Sequence, residues 1–276
     1  MHYACPRTLT DALRLMAEPG TRVLAGGTDL YAAIGSACLP GRVLDLGSVP
    51  ELRGIVRDGP ALRIGATTTW SDIAEADLPP ALHALQQAAR QVGGRQIQNR
   101  GTVGGNLCNA SPAADGVPPL LAVDAHVVLA GPEGRRTLPL AEFLTGPRRT
   151  ALGAGEVLHS IGIPASALRG RSHFVKLGAR SSLVISIAMV AARIEVVAGR
   201  IRSAALAVGS CSPVAMRLSG LEKRLAGLPA DAASGLVAAG TFAEDLRPID
   251  DIRASADYRR EAVKVLLQRA IAGCLG

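Results

Sequence analysis

The residues best suited to chemistry lie between Asn99 and Asp124, where the chain reads Asn-Arg-Gly-Thr-Val-Gly-Gly-Asn-Leu-Cys-Asn-Ala-Ser-Pro-Ala-Ala-Asp-Gly-Val-Pro-Pro-Leu-Leu-Ala-Val-Asp. This is not the pattern of an ordinary core element. Gly101, Gly104 and Gly105 permit positive φ and close approach of the backbone to a ligand, while Asn99, Thr102, Asn106, Asn109, Ser111 and Asp115 add short polar side chains. A polyanion fits such a loop. Upstream, Val23-Leu-Ala-Gly-Gly-Thr-Asp-Leu30 is a short apolar run ending in a glycine pair, after which Thr28 and Asp29 can open a helix with free N–H groups. Two loops of this kind predict one shared ligand. Read from the residues, that ligand is a dinucleotide, because two adjacent phosphates need more N–H donors than one helix terminus offers. A Gly-Gly pair taken singly is more often an ordinary tight turn, so it is the two together that point to a ligand. The first loop lacks G-x-G-x-x-G, and its acidic residue follows at once instead of about 20 residues on, which disfavours a nicotinamide-binding Rossmann unit.

Other chemistries find no support. The five cysteines, Cys5, Cys38, Cys108, Cys211 and Cys274, form no C-x-x-C pair, and the histidines His2, His83, His126, His159 and His173 form no metal-spaced group. No metal site, nucleophile elbow or catalytic acid–base pair is predicted, and Cys108 reads as a small buried thiol. The odd cysteine count and the absence of a signal-like start predict a reducing, cytoplasmic setting. The most apolar stretch, Leu183 to Ala192, is about half the length of a membrane span. The net charge of +7 is scattered in small groups such as Arg135-Arg136, Arg148-Arg149 and Arg259-Arg260, read as solvated faces. With aromatics at 3%, base-stacking platforms are lacking, so nucleic acid is not an expected partner.

The elements that must position the two loops follow from periodicity and punctuation. Hydrophobic residues make up 48% of the 276, so the core must be aliphatic and alanine-rich. Thr8-x-x-Asp11 caps a helix stopped by Pro19-Gly20; a strand through Val23 and Leu24, a helix over about 29–37 and a strand over 42–46 make a small α/β unit. Strands are expected at 52–56 and 62–65 around an Asp58-Gly59 turn, a short helix capped by Ser71, and a helix from Pro80 to Val92 that runs into the glycine stretch. Further strands are expected at 127–129 and 157–163, with a turn at 131–134. Periodicity fades at 166–171, which marks a domain boundary. Beyond it, strands at 174–177, 183–197 and 201–208 form an antiparallel meander. Helices follow from Ser212-Pro213, over 231–242, and over 255–272 with Tyr258, Ala262, Leu266 and Ala270 on one face.

Three motifs taken together resemble a known family. Val23 to Leu30, Arg100-Gly-Thr-Val-Gly-Gly-Asn-Leu-Cys-Asn-Ala-Ser-Pro-Ala-Ala-Asp115 and Lys176-Leu-Gly-Ala-Arg180 resemble the FAD-binding (medium) subunit of the molybdenum hydroxylases, the xanthine dehydrogenase and aerobic carbon monoxide dehydrogenase family. Arg63-Ile-Gly-Ala-Thr-Thr68, Thr145-Gly-Pro147 and Tyr258-Arg259 support the likeness, which covers essentially the whole chain. The resemblance implies an α+β fold. A two-lobed vanillyl-alcohol-oxidase-like (PCMH-type) FAD-binding domain would span 1–168, with lobes at about 1–50 and 51–168, followed by a smaller domain of antiparallel sheet and helices over 169–276. It also implies cofactor-binding residues. Val23, Leu24, Ala25, Gly26, Gly27, Thr28, Asp29 and Leu30 would line the pyrophosphate and ribose. Thr102, Gly104, Gly105, Asn106 and Ser111 would supply the second half of the clamp, and Asp115 would hydrogen-bond ribityl or ribose hydroxyls. Leu158 would contact the adenine side, and Lys176 would reach the flavin ring, with Arg180 holding its loop.

The function implied is that of an electron-transfer subunit carrying non-covalent FAD. A large subunit with the molybdenum cofactor and a small subunit with [2Fe–2S] clusters would be its partners, and NAD, a quinone or another molecule the acceptor. In xanthine-oxidising members acidic residues follow the lysine segment; here Ser181 and Ser182 stand there, which tells against NAD. Two other readings stay open at this level. A self-sufficient FAD-dependent oxidoreductase would need a pocket with a general base, and a structural subunit that no longer binds flavin would have an occluded clamp.

Overall fold

Thr8 opens the first helix by accepting the Asp11 amide on its hydroxyl, and the Asp11 carboxylate accepts that hydroxyl's proton in return. In the computed structural model, which describes residues 2–34, 41–238, 242 and 245–276, this helix, α1 (Leu9–Met16), lies between strands β1 (His2–Ala4) and β2 (Thr21–Leu24). Helix α2 (Leu30–Ile34) and strand β3 (Arg42–Asp45) follow. The three strands form a parallel sheet in the order β1-β3-β2. The far end of the expected 29–37 helix, and Cys38 with it, lie outside the described residues.

A larger antiparallel sheet comes next, in the order β4-β5-β10-β6-β7. Its strands are β4 (Ile55–Asp58), β5 (Ala61–Gly65), β6 (His126–Gly131), β7 (Gly134–Pro139) and, after helix α8 (Leu140–Phe143) and the short pair β8 (Leu144–Gly146) and β9 (Arg149–Thr150), β10 (Val157–Ile163). The strand expected from Leu52 begins only at Ile55, because Pro50 starts a 3-10 turn that buries Leu52. Between β5 and β6 run helices α3 (Trp70–Glu75), α4 (His83–Gln91), α5 (Arg95–Arg100), α6 (Val103–Asn109) and α7 (Val117–Ala122). Thr69, not Ser71, caps α3: its hydroxyl takes the Asp72 amide while the Asp72 carboxylate takes the Thr69 amide. The glycine stretch is therefore largely helical, which the density of Gly, Asn and Pro had concealed.

The last third is a four-stranded antiparallel sheet, β11 (Arg171–Leu177), β12 (Ala188–Val197), β13 (Arg200–Gly209) and β14 (Met216–Arg217), covered by helices α9 (Ser219–Leu225), α10 (Ala233–Ala238) and α11 (Ala256–Leu275). Residues 188–194 of β12 are all buried, since the strand lies between two cores. Met189 and Ala191 face the cluster that also holds Phe174, Ile64 and Leu107, while Ala188, Val190 and Ala192 face α9 and α11. Such a strand reads as a continuous apolar run rather than an alternation. The strand expected from Leu183 starts only at Ala188; Leu183 has a φ of 51° and, like Ile185, is exposed. No helix starts at Ser212, whose hydroxyl instead accepts the Arg247 amide beside the edge strand β14. The buried face of α11 is Arg259, Val263, Leu266, Leu267, Ala270, Ile271 and Cys274, and Tyr258 points to solvent. Among the described residues no helix is long and apolar enough to cross a membrane.

Two buried arginines, Arg193 and Arg259, and the half-buried Arg217 tie these layers together. Arg193 donates to the carbonyl of Ala122 at 2.9 Å, and Arg217 to that of Leu121 at 2.9 Å and to Asp124 at 2.7 Å, which fixes the end of α7 against the second sheet. Arg259, buried in α11, donates to the carbonyls of Ile187 at 2.5 Å and Ser210 at 2.9 Å and to Asp251 at 2.7 Å. Arg259→Met strands the Ile187 and Ser210 carbonyls and leaves Asp251 only its contacts to Arg253 and Ala254, so we expect denaturant unfolding to register a loss of about 3–5 kcal/mol. Arg260→Met, which loses only an exposed pair with Asp257, should fall within about 0.5 kcal/mol of the parent.

Candidate functional site

The two glycine loops touch. A Cβ on Gly26 would stand 2.0 Å from the carbonyl oxygen of Arg100 and 2.8 Å from the Cα of Gly101, so only glycine allows the first loop to lie on the second. The second loop is in turn stitched to residues 66–70. The amide of Gly104 donates to Ala66 at 2.9 Å, that of Val103 to Thr68 at 3.0 Å, and that of Trp70 to Gly101 at 3.1 Å. A Cβ on Gly104 would lie 2.5 Å from the Ala66 oxygen. The Arg63 to Thr68 motif thus works as the seat of the second loop.

This corrects the sequence reading in two respects. Gly101, Gly104 and Gly105 have ordinary backbone angles and are needed for closeness, while Gly27 alone among the glycines of both loops has positive φ, at 74°. The donors are also unevenly shared. The first-turn amides of α6 are all engaged within the chain, Gly105 by the Thr102 hydroxyl at 3.1 Å and Asn106 by the Thr102 carbonyl at 3.0 Å. In the first loop, by contrast, the amides of residues 25–30 make no hydrogen bond to the described residues.

Both loops open on one cavity of about 840 Å³. Val23, Leu24, Ala25, Gly26, Gly27, Thr28, Asp29 and Leu30 line one part of its wall, and Thr102, Gly104, Gly105, Asn106, Ser111, Asp115 and Leu158 another. The Asn106 side-chain oxygen is buried without a hydrogen-bond partner among the described residues. Leu158 adjoins a β-bulge at His159, where the register between β10 and β6 shifts.

Lys176 is the predicted residue that the structure does not bring onto this wall. Its ammonium is buried behind Asp115, 2.6 Å from one carboxylate oxygen, and donates to the Gln91 carbonyl at 3.4 Å; the Ser186 hydroxyl donates to the other carboxylate oxygen at 2.6 Å. Burial pushes the Asp115 carboxyl above the ordinary carboxylate range, and the Lys176 charge and Ser186 hydroxyl pull it back. Arg180 does hold its own loop, donating to the carbonyls of Ser182 and Leu183.

Sequence reasoning missed several lining residues. Leu183, Val184 and Ile185, assigned to a strand, instead border the cavity, as does Trp70 beneath Gly101 and Gly116. Arg148, read as part of a solvated face, reaches the rim. Cys108 opens onto the cavity instead of being buried. Among the described residues no cluster of His, Cys, Asp and Glu could hold a metal ion.

Comparison with known proteins identifies the family. The family model described as the FAD binding domain in molybdopterin dehydrogenase matches residues 1–166, and that of the CO dehydrogenase flavoprotein C-terminal domain matches residues 173–273. The chain belongs to this flavoprotein family. The medium chain of carbon monoxide dehydrogenase from Hydrogenophaga pseudoflava is 31% identical over 275 residues, covering 98% of this chain and 95% of that one. The FAD-binding subunit of xanthine dehydrogenase from Escherichia coli is 32% identical over 276 residues, covering 98% and 94%. Among solved structures, carbon monoxide dehydrogenase from Hydrogenophaga pseudoflava superposes with a TM-score of 0.88 at 28% identity, over 100% of this chain and 97% of that one. Quinoline 2-oxidoreductase from Pseudomonas putida superposes with a TM-score of 0.87 at 27% identity, over 99% and 96%. The flavoprotein is thus an oxidoreductase subunit with the two-part α+β fold expected from its motifs.

The cavity suits the family's cofactor on its own evidence. It combines a glycine cradle that any Cβ would fill, unengaged amides at residues 25–30 for anionic oxygens, an orphaned acceptor on Asn106 for a hydroxyl or amine, and apolar walls for rings.

Close to this wall, His159 is buried with its Nδ1 2.9 Å from the Ser160 hydroxyl. Burial, reinforced by Arg135 and Arg63, pulls its pKa from 6.5 down to about 4. The unfolded chain therefore binds a proton here that the folded chain refuses, and stability drops as pH falls from 6.5 to about 4. We expect His159→Gln to flatten that decline by at most about 3 kcal/mol in denaturant titrations run across this pH range.

Proposed function

We propose that this chain is the electron-transfer subunit of a molybdenum hydroxylase complex, holding non-covalent FAD between its two glycine loops. In this reading it takes electrons from the [2Fe–2S] clusters of a small partner subunit, downstream of a large subunit with the molybdenum cofactor, and delivers them to an external acceptor such as NAD or a quinone. The observation that carries the reading is the contact of Gly26 with Arg100 and Gly101, which brings two loops distant in sequence onto one cavity. Bound FAD would supply the ability to accept and release electrons singly or in pairs.

The chain's own residues bind and position. Amides of residues 25–30 present N–H groups to phosphate oxygens, and Thr102 rigidifies the facing loop by capping α6. Asn106 and Ser111 offer hydrogen bonds, Leu158 packs against a ring, and Asp115 is held rigid by Lys176 and Ser186. Lys176 acts through Asp115 in this arrangement and not by direct contact with the ring. No histidine stands among the described lining residues, and of the lining carboxylates Asp115 and Glu156 are bound in ion pairs with Lys176 and Arg136, while Asp29 is exposed on the first glycine loop. That favours outer-sphere electron transfer over a self-sufficient oxidoreductase, which needs a free general base. Residues 1–168 would carry the cofactor, with lobes at about 1–50 and 51–168, and 169–276 would complete the wall. The free thiols of Cys5, Cys108, Cys211 and Cys274 support a cytoplasmic setting.

The test is the visible spectrum of the purified chain, alone and with co-purified partners, with the nucleotide released by acid identified by chromatography. FAD at near-stoichiometric yield is expected. Asn106→Ala should weaken FAD binding about tenfold while leaving the cofactor-free chain as stable as the parent, because it deletes a buried acceptor that has no partner. A colourless chain that takes up no added FAD in either form would leave the flavin-free structural subunit as the better reading.

A further inference from the structure

The charged side chains on the described cavity wall are Asp29, Asp115, Glu156 and Arg148. Asp115 and Glu156 are neutralised by Lys176 and Arg136, cations that stand outside the lining. Arg148 is thus the one cation of the described lining. It sits in the turn between β8 and β9, exposed at the rim, and its Nη1 donates to the side-chain oxygen of Asn109 and lies 3.5 Å from that residue's carbonyl oxygen. Its Nε and Nη2 have no hydrogen-bond partner among the described residues.

The backbone fixes this side chain's origin. Arg148 has a φ of 58°, and its amide donates at 2.8 Å to the carbonyl of Ala110, itself left-handed with a φ of 45° at the end of α6. Left-handed angles at residues other than glycine, asparagine or aspartate are uncommon, and two of them joined by a hydrogen bond hold the turn against the helix that carries Asn106 and Asn109. A planar fork of donors, anchored at one nitrogen and open at the others, is matched to a phosphate. A dinucleotide would bring two negative charges into a cavity that already holds carboxylates, and Arg148 supplies the compensating charge.

We propose that Arg148 is a cofactor-binding residue whose guanidinium, oriented by Asn109, pairs with the phosphates of the bound dinucleotide. The inference rests on the FAD reading above and extends it to a residue outside the two glycine loops.

Affinity for FAD is measured by titrating the cofactor-stripped protein, as the isolated chain or as its complex, at low and high ionic strength. Arg148→Gln is expected to weaken binding about tenfold or more at low salt and to flatten the salt dependence, with an unchanged melting temperature of the stripped protein. Arg148→Lys, which keeps the charge, should retain the salt dependence. Wild-type affinity and salt slope in Arg148→Gln, while the parent binds FAD, would overturn this inference and leave the FAD reading intact. The inference would also fall if Asn109→Ala lost as much affinity as Arg148→Gln and neither altered the salt slope, for Arg148 would then be only a brace. A parent protein that binds no FAD in either form would overturn both readings.

Discussion

The closest backbone approach in the site, Gly26 against the carbonyl of Arg100, is the constraint on which the rest depends. It joins a loop on the small parallel sheet to a loop between helices α5 and α6, two elements about 75 residues apart in sequence. Any side chain at Gly26 would hold them apart and open the cavity floor. The second loop presents a fixed surface to this contact because it is seated by Ala66, Thr68 and Trp70.

That seating has a consequence for recognition. Amides used to fix the second loop are no longer available to a ligand, so donation falls to the first loop, where residues 25–30 keep theirs unengaged. One loop supplies shape and the other hydrogen bonds. The same division governs charge: the Asp115 carboxylate is held on both oxygens by the chain's own donors, Lys176 and Ser186, so it presents a fixed and compensated surface. Such a site orients a cofactor with side chains whose positions are already fixed, which suits a subunit whose work is to hold a redox group in place.

The second sheet is more than an appendage to this arrangement. Its central strand β12 has one face in the core shared with β5 and α6 and the other under α11, and the segment leading into it, residues 183–185, borders the cavity. Arg259 pins the start of that strand through the Ile187 carbonyl. Packing at the far end of the chain therefore reaches the cavity through one buried side chain.

The sequence by itself determined the family, the two glycine loops, the order of most strands and the aliphatic core, because glycine pairs, caps and apolar periodicity are local signals. Val23 to Leu30, Thr102, Gly104, Gly105, Asn106, Ser111, Asp115 and Leu158, all singled out from the sequence, line one cavity. What the sequence left illegible depends on distant partners. Ser71 lost the cap to Thr69 by two residues, Leu183 takes a left-handed φ with its carbonyl held by Arg180 so that the strand starts only at Ala188, and the short β1 exists only through its pairing with β3. Only the tertiary structure decided that Lys176 turns toward Asp115, that Arg148 faces the cavity, and which amides remain free. A polar group's availability is set by whatever the fold brings within hydrogen-bond reach, and no local pattern records that.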